Sequence, residues 1–379
     1  MPKKKRSANN TGSIFSRKDG RWGFAYTDPS GKQITRTAKT QAEAVEKLTA
    51  AISSMSRGEY VKPSQMTVGE WLRIWVKEYA PNSAKASTVD TYKTAIENHF
   101  IPQLGEIRLQ ALRTDQIQRL VNQQRKIYQP ATIRRQLSIL KRALGQAVEN
   151  QLILKNPATA VKLPKLEQKE VPFLSQEETA ALLNVLPLST CGRAIRFILG
   201  TGLRVSEVCG LRWCDLGKDG FTVNQTLYIV NGKYLSEEEY NGQHIVATSP
   251  KTEAGRRFIP FNDKLKEILN QQRGAQRLER LQMGECWRGG EPGKGEQYIF
   301  ATALGTPYDR HNIARALRAC SYKAGIESRG PHALRHTFAT RWIQSGKDPV
   351  TLSKILGHSN VSFTMKTYVH ADNTSKMAL

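Results

Sequence analysis

The sequence predicts a multidomain protein, mainly α with small β-sheets (α+β). An N-terminal three-stranded sheet plus helix is followed by a four-helix domain and a third domain that mixes helices with strands. Three observations predict it. Two turn signals and a capping box crowd into the first 60 residues, an apolar stripe at helical spacing runs along residues 133–148, and a proline-bearing stretch without periodicity precedes residue 175.

The sheet comes first. Asp19-Gly20 precedes Arg21-Trp22-Gly23-Phe24-Ala25-Tyr26, and Asp28-Pro29-Ser30-Gly31 precedes Lys32-Gln33-Ile34-Thr35-Arg36. Turn residues at those positions separate three short strands. Thr40 with Glu43 three residues later then opens a helix to about Ser56, because the hydroxyl and the carboxylate can each bond a backbone N–H at the helix start. The domain spans 13–60, and residues 1–12, with Lys3-Lys4-Lys5-Arg6, form a basic flexible arm.

The helical domain, 64–154, begins at a second capping box, Thr67 and Glu70. Further helices run from Ser87 to about Phe100, from Thr114 to about Ile127 and from Pro130 to Asn150. In the last, Ile133, Leu137, Leu140, Leu144 and Val148 make one inward stripe and leave Arg134, Arg135, Lys141 and Arg142 outward. Residues 155–174 read as an extended linker, and Ser175 with Glu178 caps the first helix of the third domain, 175–379. There, residues 244–252 and Arg256 to Pro260 read as a two-stranded hairpin with Lys251 at or near its turn.

The charge identifies a class of partner. Of 379 residues, 57 are Lys or Arg and 33 Asp or Glu, a net +24. The excess is spread as +7 over residues 1–60, +9 over 61–170 and +8 over 171–379. A chain basic in every domain fits a long polyanion, and double-stranded DNA is the expected partner. Strand faces with Arg21, Lys32 and Arg36 beside Trp22 and Tyr26 are candidate DNA readers, as are the four outward cations of the last helix. No apolar run approaches the roughly 18 residues of a membrane span, so no membrane partner is expected. Five cysteines without a Cys-x-x-Cys pair read as ordinary thiols.

Chemistry concentrates in the third domain: Gly200-Thr201-Gly202-Leu203-Arg204-Val205-Ser206-Glu207, then Lys251, His332-Ala333-Leu334-Arg335-His336, Leu356-Gly357-His358 and Thr367-Tyr368-Val369. Breaking a phosphodiester without a metal needs fixed cations where charge grows on the non-bridging oxygens, a nucleophile, and an acid for the leaving oxygen. Arg204, Arg335, Lys251 and Tyr368 are suited to those posts. His332 and His336, four apart, have the spacing of a zinc helix, but Arg335 stands where that motif has its glutamate and no third ligand is evident. Neither a metal nor a cofactor is expected, and no Gly-x-x-x-x-Gly-Lys-[Ser/Thr] loop is present.

The ordered set Arg204, Lys251, His332-x-x-Arg335, Leu-Gly-His358 and Tyr368 resembles the tyrosine recombinases, the integrase family of temperate phages and conjugative transposons. The resemblance covers essentially the whole chain. It implies an arm-site DNA-binding domain at 13–60, a helical core-site DNA-binding domain at 64–154 and a mixed α/β catalytic domain at 175–379. By the same resemblance Tyr368 attacks the scissile phosphate to give a 3′-phosphotyrosine. Arg204 and Arg335 hold the non-bridging oxygens, with His358 donating to them. Lys251 protonates the leaving 5′ oxygen, His332 assists proton transfer at Tyr368, and Glu207 braces the site. The function implied is integration and excision of a mobile element by a homo-tetramer on DNA in the bacterial cytoplasm, associated with the nucleoid, with an excisionase and a host DNA-bending protein as partners. A type IB topoisomerase-like relaxing enzyme and a catalytically silent DNA-binding protein are the alternatives. The eleven residues after Tyr368 are short for a swapped helix, which leaves a docked tail and a truncated chain both open.

Overall fold

A computed structural model of the chain describes residues 12–29, 31–58, 60–166, 172–229, 245–248, 253–290, 297–358 and 360–369. Lys251, the basic arm at 1–11 and the residues from 370 onward lie outside this set. The chain divides into two compact units, Met1–Glu167 and Gln168–Leu379.

In the first unit β1 (Ser13–Ser16), β2 (Trp22–Thr27) and β3 (Gln33–Ala38) form an antiparallel sheet in the order β1-β2-β3. Helix α1 (Gln41–Ser56) covers one face. Thr40 caps it by accepting from the Glu43 N–H at 3.2 Å, while Glu43 reaches back to the Lys39 N–H at 2.8 Å, one residue beyond a standard capping box. Phe24, Tyr26, Ala38, Ala44 and Leu48 are the small core, with Trp22 partly buried against it.

This core corrects one expectation. Tyr26 is only 7% exposed and packs edge-on against Tyr60, so it holds the sheet to the helix instead of facing a ligand. Alternation is the reason: Trp22, Phe24 and Tyr26 share one strand face, and that face is the one α1 covers. Arg21, Lys32 and Arg36 remain exposed.

The helical part of the same unit has the expected four helices, two of them composite. The first runs as α2 (Val68–Ile74), a π turn at Trp75–Tyr79 and α3 (Ala80–Ser83); the second as α4 (Ala86–Ala95), a π turn at Ile96–Phe100 and α5 (Ile101–Leu104). Each π turn ends just before a proline, Pro81 or Pro102, which lacks an N–H and cannot continue the i to i−4 pattern. The N–H groups of Ala80 and Ile101 reach the carbonyls of Trp75 and Ile96 instead, five residues back. Helices α6 (Thr114–Gln124) and α7 (Pro130–Glu149) complete the set. Trp71, 2% exposed, ties α2 to α7 through its indole N–H and the Ala143 carbonyl at 2.9 Å. The α7 stripe is buried from Ile133 to Leu144, as its spacing predicts. Of its outward cations, Arg135, Lys141 and Arg142 are exposed, Arg142 also donating to the Tyr92 hydroxyl, while Arg134 is partly buried and donates to the Pro164 carbonyl. Ala158 and Val161, within the stretch read as a linker, are buried in this core.

The second unit opens with α8 (Gln176–Val185), capped reciprocally by Ser175 and Glu178. Then come α9 (Thr190–Thr201) and α10 (Val205–Gly210), strands β4 (Gly220–Val223), β5 (Thr226–Ile229), β6 (Ile245–Thr248) and β7 (Arg257–Pro260), and helices α11 (Asp263–Met283), α12 (Arg310–Lys323), α13 (Pro331–Gln344), α14 (Pro349–Leu356) and α15 (Val361–Thr364). The expected hairpin is corrected: β6 pairs with β5, and β7 pairs with β4. Strands β4 and β5 escape prediction because they are four residues each and interrupted at Asn224-Gln225, too short for a clear alternation. Phe221 facing Ile259 across the ladder supplies the apolar pairing that selects this arrangement. Phe197, Phe221 and Phe300, each fully buried with ring centroids 5.4–5.5 Å from Phe197, form the centre of this core.

Candidate active site

Two left-handed glycines place the cationic side chains. Helix α9 stops at Gly202, with φ 67°, and a β-carbon there would lie 2.4 Å from the Phe338 ring. The chain turns sharply, and Arg204 becomes the residue preceding α10. Helix α14 stops in the same way at Gly357, with φ 66°, where a β-carbon would approach the Ala254 carbonyl oxygen to 2.9 Å and Arg257 to 3.0 Å. His358 follows at once. Thr-Gly-Leu-Arg and Leu-Gly-His are thus two helix endings that each release a functional residue into the same space.

That space is framed by the carbonyl of Leu356, which accepts from Arg335 Nη2 at 2.7 Å and from Arg204 Nη1 at 3.5 Å. Arg335, on α13, is 1% exposed and also donates to the Gly202 carbonyl at 3.0 Å. Its Nη2 lies 2.9 Å from His358 Nε2. Because a guanidinium only donates, that ring nitrogen is the acceptor, and the Nδ1–H of His358 donates to Thr364 Oγ1 at 2.8 Å. Burial, and then the charges of Arg335 and Arg204, lower the His358 pKa to about 4, consistent with a neutral ring. Burial, reinforced by Arg204, likewise lowers the Arg335 pKa to about 9.

Glu207 is 2% exposed and accepts four donors: the Arg204 backbone N–H at 2.8 Å, Arg204 Nη1 at 2.9 Å, and Arg257 Nη1 and Nη2 at 3.1 and 3.0 Å. Burial alone would raise its pKa; the bonds and charge of Arg257, aided by Arg204, outweigh that and hold the carboxyl below its ordinary value. The pair is therefore not the solvated surface contact that a spacing of three on a helix usually gives. Arg257 was not among the expected site residues. Its signal lay in strand alternation, because Arg257 shares the buried face of β7 with Ile259 while Phe258 is exposed. An arginine on an apolar strand face requires a buried acid.

Tyr368 is 3% exposed, in a π turn at Met365–Val369 that continues α15. Ala339, Leu352 and Leu356 pack around it with Phe338, Trp342 and Ile343. Its hydroxyl lies 2.6 Å from Nδ1 of His336. The residue expected beside the tyrosine was His332; it sits one turn earlier, exposed, its ring edge-to-face with His336 at 4.7 Å between centroids. Burial lowers His336 to about 4, with help from His332 and Arg335, and burial raises Tyr368 to about 12 against the pull of Arg335 and Arg204. The structure brings Arg204, Glu207, Arg335, His358 and Tyr368 into one site, and adds Arg257 and His336. Among the described residues no group of three or more His, Cys, Asp or Glu side chains could hold a metal ion.

Such a site gathers fixed cationic donors beside a phenol that is held by a histidine. Residues 172–375 match the model of the phage integrase family, and residues 67–124 match a phage integrase N-terminal SAM-like domain. A tyrosine recombinase XerC-like protein of Caldanaerobacter subterraneus is 29% identical over 90% of each chain, and an integrase of Saccharopolyspora erythraea is 24% identical over 97% of this chain and 94% of its own. In fold, the chain resembles the Tn1549 transposon integrase solved with a circular intermediate DNA, with a TM-score of 0.65 at 22% identity over 83% of this chain and all of that one. It also resembles the lambda integrase dimer solved on a core site, with a TM-score of 0.60 at 18% identity over 97% of this chain and 96% of that one. With a family match over more than half its length and the arginine, histidine and tyrosine side chains gathered in one site, the chain belongs to the phage integrase family.

Proposed function

We propose that this protein is a site-specific DNA recombinase that cuts and rejoins DNA through a 3′-phosphotyrosine, integrating and excising a mobile element. The observation that carries the reading is the convergence of Arg204, Arg335, His358 and Tyr368 around the Leu356 carbonyl and the His336 ring.

The chemistry follows from charge. As Tyr368 Oη bonds to phosphorus, negative charge grows on the non-bridging oxygens, and Arg204 and Arg335 supply donors held by Glu207, Gly202 and Leu356 before DNA arrives. Preorganisation of this kind removes the cost of orienting dipoles during reaction. His358 serves the phosphate as a donor in this reading once its Nε2, which accepts from Arg335 in the free protein, takes up a proton as the phosphate takes over the arginine's bonds. Lys251 is the acid for the leaving 5′ oxygen in this reading, on the strength of its place in the motif. His332 assists proton movement near Tyr368. A phosphodiester is exchanged for a phosphotyrosine ester of similar energy, so the step is reversible.

The wider assembly is proposed in the same terms. Double-stranded DNA is the substrate, contacted by exposed cations such as Arg21, Lys32, Arg36, Arg135 and Lys141. A homo-tetramer pairs two duplexes, with an excisionase and a host DNA-bending protein setting direction. No described helix is long and apolar enough to cross a membrane. A duplex carrying an element end and a nick beside the scissile phosphate tests the mechanism. Incubated in EDTA without ATP, it yields a covalent protein–DNA adduct with the wild type and none with Tyr368→Phe. Tight binding without adduct at any cognate end would leave a DNA-binding protein without catalysis.

A further inference from the structure

We propose that His336, the residue directly after Arg335, is a catalytic residue that accepts the proton of Tyr368 as the phosphotyrosine bond forms. The inference rests on the reading of Tyr368 as nucleophile.

The geometry carries it. His332, Arg335 and His336 project from one face of α13, three and four residues apart, and of the two histidines it is His336 whose Nδ1 lies 2.6 Å from the phenolic oxygen. The hydroxyl is not free to choose another direction. Tyr368 is almost wholly enclosed, and Ala339, Leu352 and Leu356 grip the ring in the π turn, so the phenol presents its oxygen to the half-buried imidazole. A hydrogen bond of this length between a phenol and a neutral ring nitrogen is the ground-state form of the proton transfer that attack requires.

Burial keeps the pair quiet without DNA. It raises the phenol to about 12 against the pull of Arg335 and Arg204, and together with the charges of His332 and Arg335 on the same helix it lowers the imidazole to about 4; His358, from the turn after α14, is lowered in part by His336. The proton then stays on Tyr368. A bound phosphodiester brings an anion beside Arg204 and Arg335, offsets their charge, and lets the imidazole hold a proton.

In the step itself the Tyr368 O–H bond breaks and its proton passes to His336 Nδ1. The O–P bond forms, the P–O5′ bond breaks, and the 5′ oxygen takes a proton from the acid, Lys251 in the reading above. On rejoining, the 5′-hydroxyl gives its proton back to Lys251 as its oxygen attacks phosphorus, the phosphotyrosine O–P bond breaks, and His336 returns its proton to the departing phenolate. Nothing is oxidised or reduced, and no co-reactant is needed.

Single-turnover cleavage of the nicked duplex between pH 6 and 10 tests this in the full-length chain, with wild type, His336→Asn, His336→Ala, His332→Asn and Tyr368→Phe side by side. Asparagine keeps an acceptor near the position of Nδ1 but cannot take the proton. His336→Asn should be roughly 100-fold slower at pH 7, with the deficit shrinking as pH rises and hydroxide takes over the deprotonation. A deficit that is the same at every pH, or a rate within about twofold of wild type, overturns the proposal. Adduct formation by Tyr368→Phe would instead overturn the nucleophile assignment, a separate failure. Nitrogen NMR of the wild-type chain needs no altered fold. His336 is expected as the Nε2–H tautomer with Nδ1 unprotonated, and an Nδ1–H ring overturns the proposal.

Discussion

Arg257 grips both carboxylate oxygens of Glu207, at 3.1 and 3.0 Å, and Glu207 in turn holds Arg204. Arg257 also donates through Nε to the Ile355 carbonyl and through Nη1 to that of Gly255. One strand residue therefore braces the turn carrying the first arginine and the end of the helix that releases His358. Both charges of the ion pair are buried, so loss of one partner strands the other. Arg257→Met should cost about 3 to 5 kcal/mol of unfolding free energy in urea, and Arg257→Met with Glu207→Gln distinctly less than the sum of the single changes. Additive losses in that cycle would mean the two residues are energetically independent.

Gly357 gives a second test of how the site is held. Its φ of 66° is strained for any side chain, and an added methyl meets a backbone oxygen at 2.9 Å, which cannot swing aside. Gly357→Ala should lose at least about 2 kcal/mol of stability and slow cleavage more than it weakens DNA binding, because His358 moves with the turn. Equal losses in both would place the effect in folding alone.

Much of the architecture is legible in the sequence because local signals agree with the global fold. Capping boxes at Thr67 and Ser175 occur as the spacing predicts, and the α7 stripe is buried as its period requires. The site's arginines and tyrosine are legible as an ordered set. What escapes depends on long-range pairing. The partners of β6 and β7 lie in short strands at 220–229, and Arg257 meets an acid 50 residues away. His336 is visible only as half of an i, i+4 pair. Which histidine meets Tyr368 is decided by how the π turn sets the phenol against α13, and no local pattern encodes that.

The lowered histidines make stability depend on pH. Both His336 and His358 are near 4 in the folded chain, against an ordinary 6.5. Between those values the unfolded chain binds more protons, so stability rises as pH increases from about 4 to 6.5 and levels off above. Glu207 acts in the same direction at lower pH, because its carboxyl is held below 4.5 when folded and its contribution is lost as pH falls through that lowered value. Linkage with those values allows about 2.5 kcal/mol per histidine between pH 4.5 and 7.5; because both rings are only half-buried and solvent screens part of the charge, urea midpoints should climb by the equivalent of about 1 kcal/mol each, and His358→Asn should flatten part of the climb. An identical slope in that variant would put the titration elsewhere.

In the N-terminal sheet, Tyr26 and Arg36 should behave oppositely although the sequence groups them together. Tyr26 belongs to a core of five buried residues and has little redundancy around it. Tyr26→Ala should remove about 3 kcal/mol or more, enough to unfold so small a domain. Arg21, Lys32 and Arg36 are exposed, so replacing all three with alanine should leave the fold intact. If they touch phosphates, the plot of log affinity against log salt should become shallower by about 0.9 for each phosphate no longer neutralised. Circular dichroism separates the two variants, and salt titration on arm-type and core-type duplexes reads the slope. A triple variant with unchanged slope on every duplex would mean that these cations face solvent, and would turn the search for DNA contacts to the opposite face of the sheet, where Thr35 and Thr37 lie opposite Ala25 and Gly23.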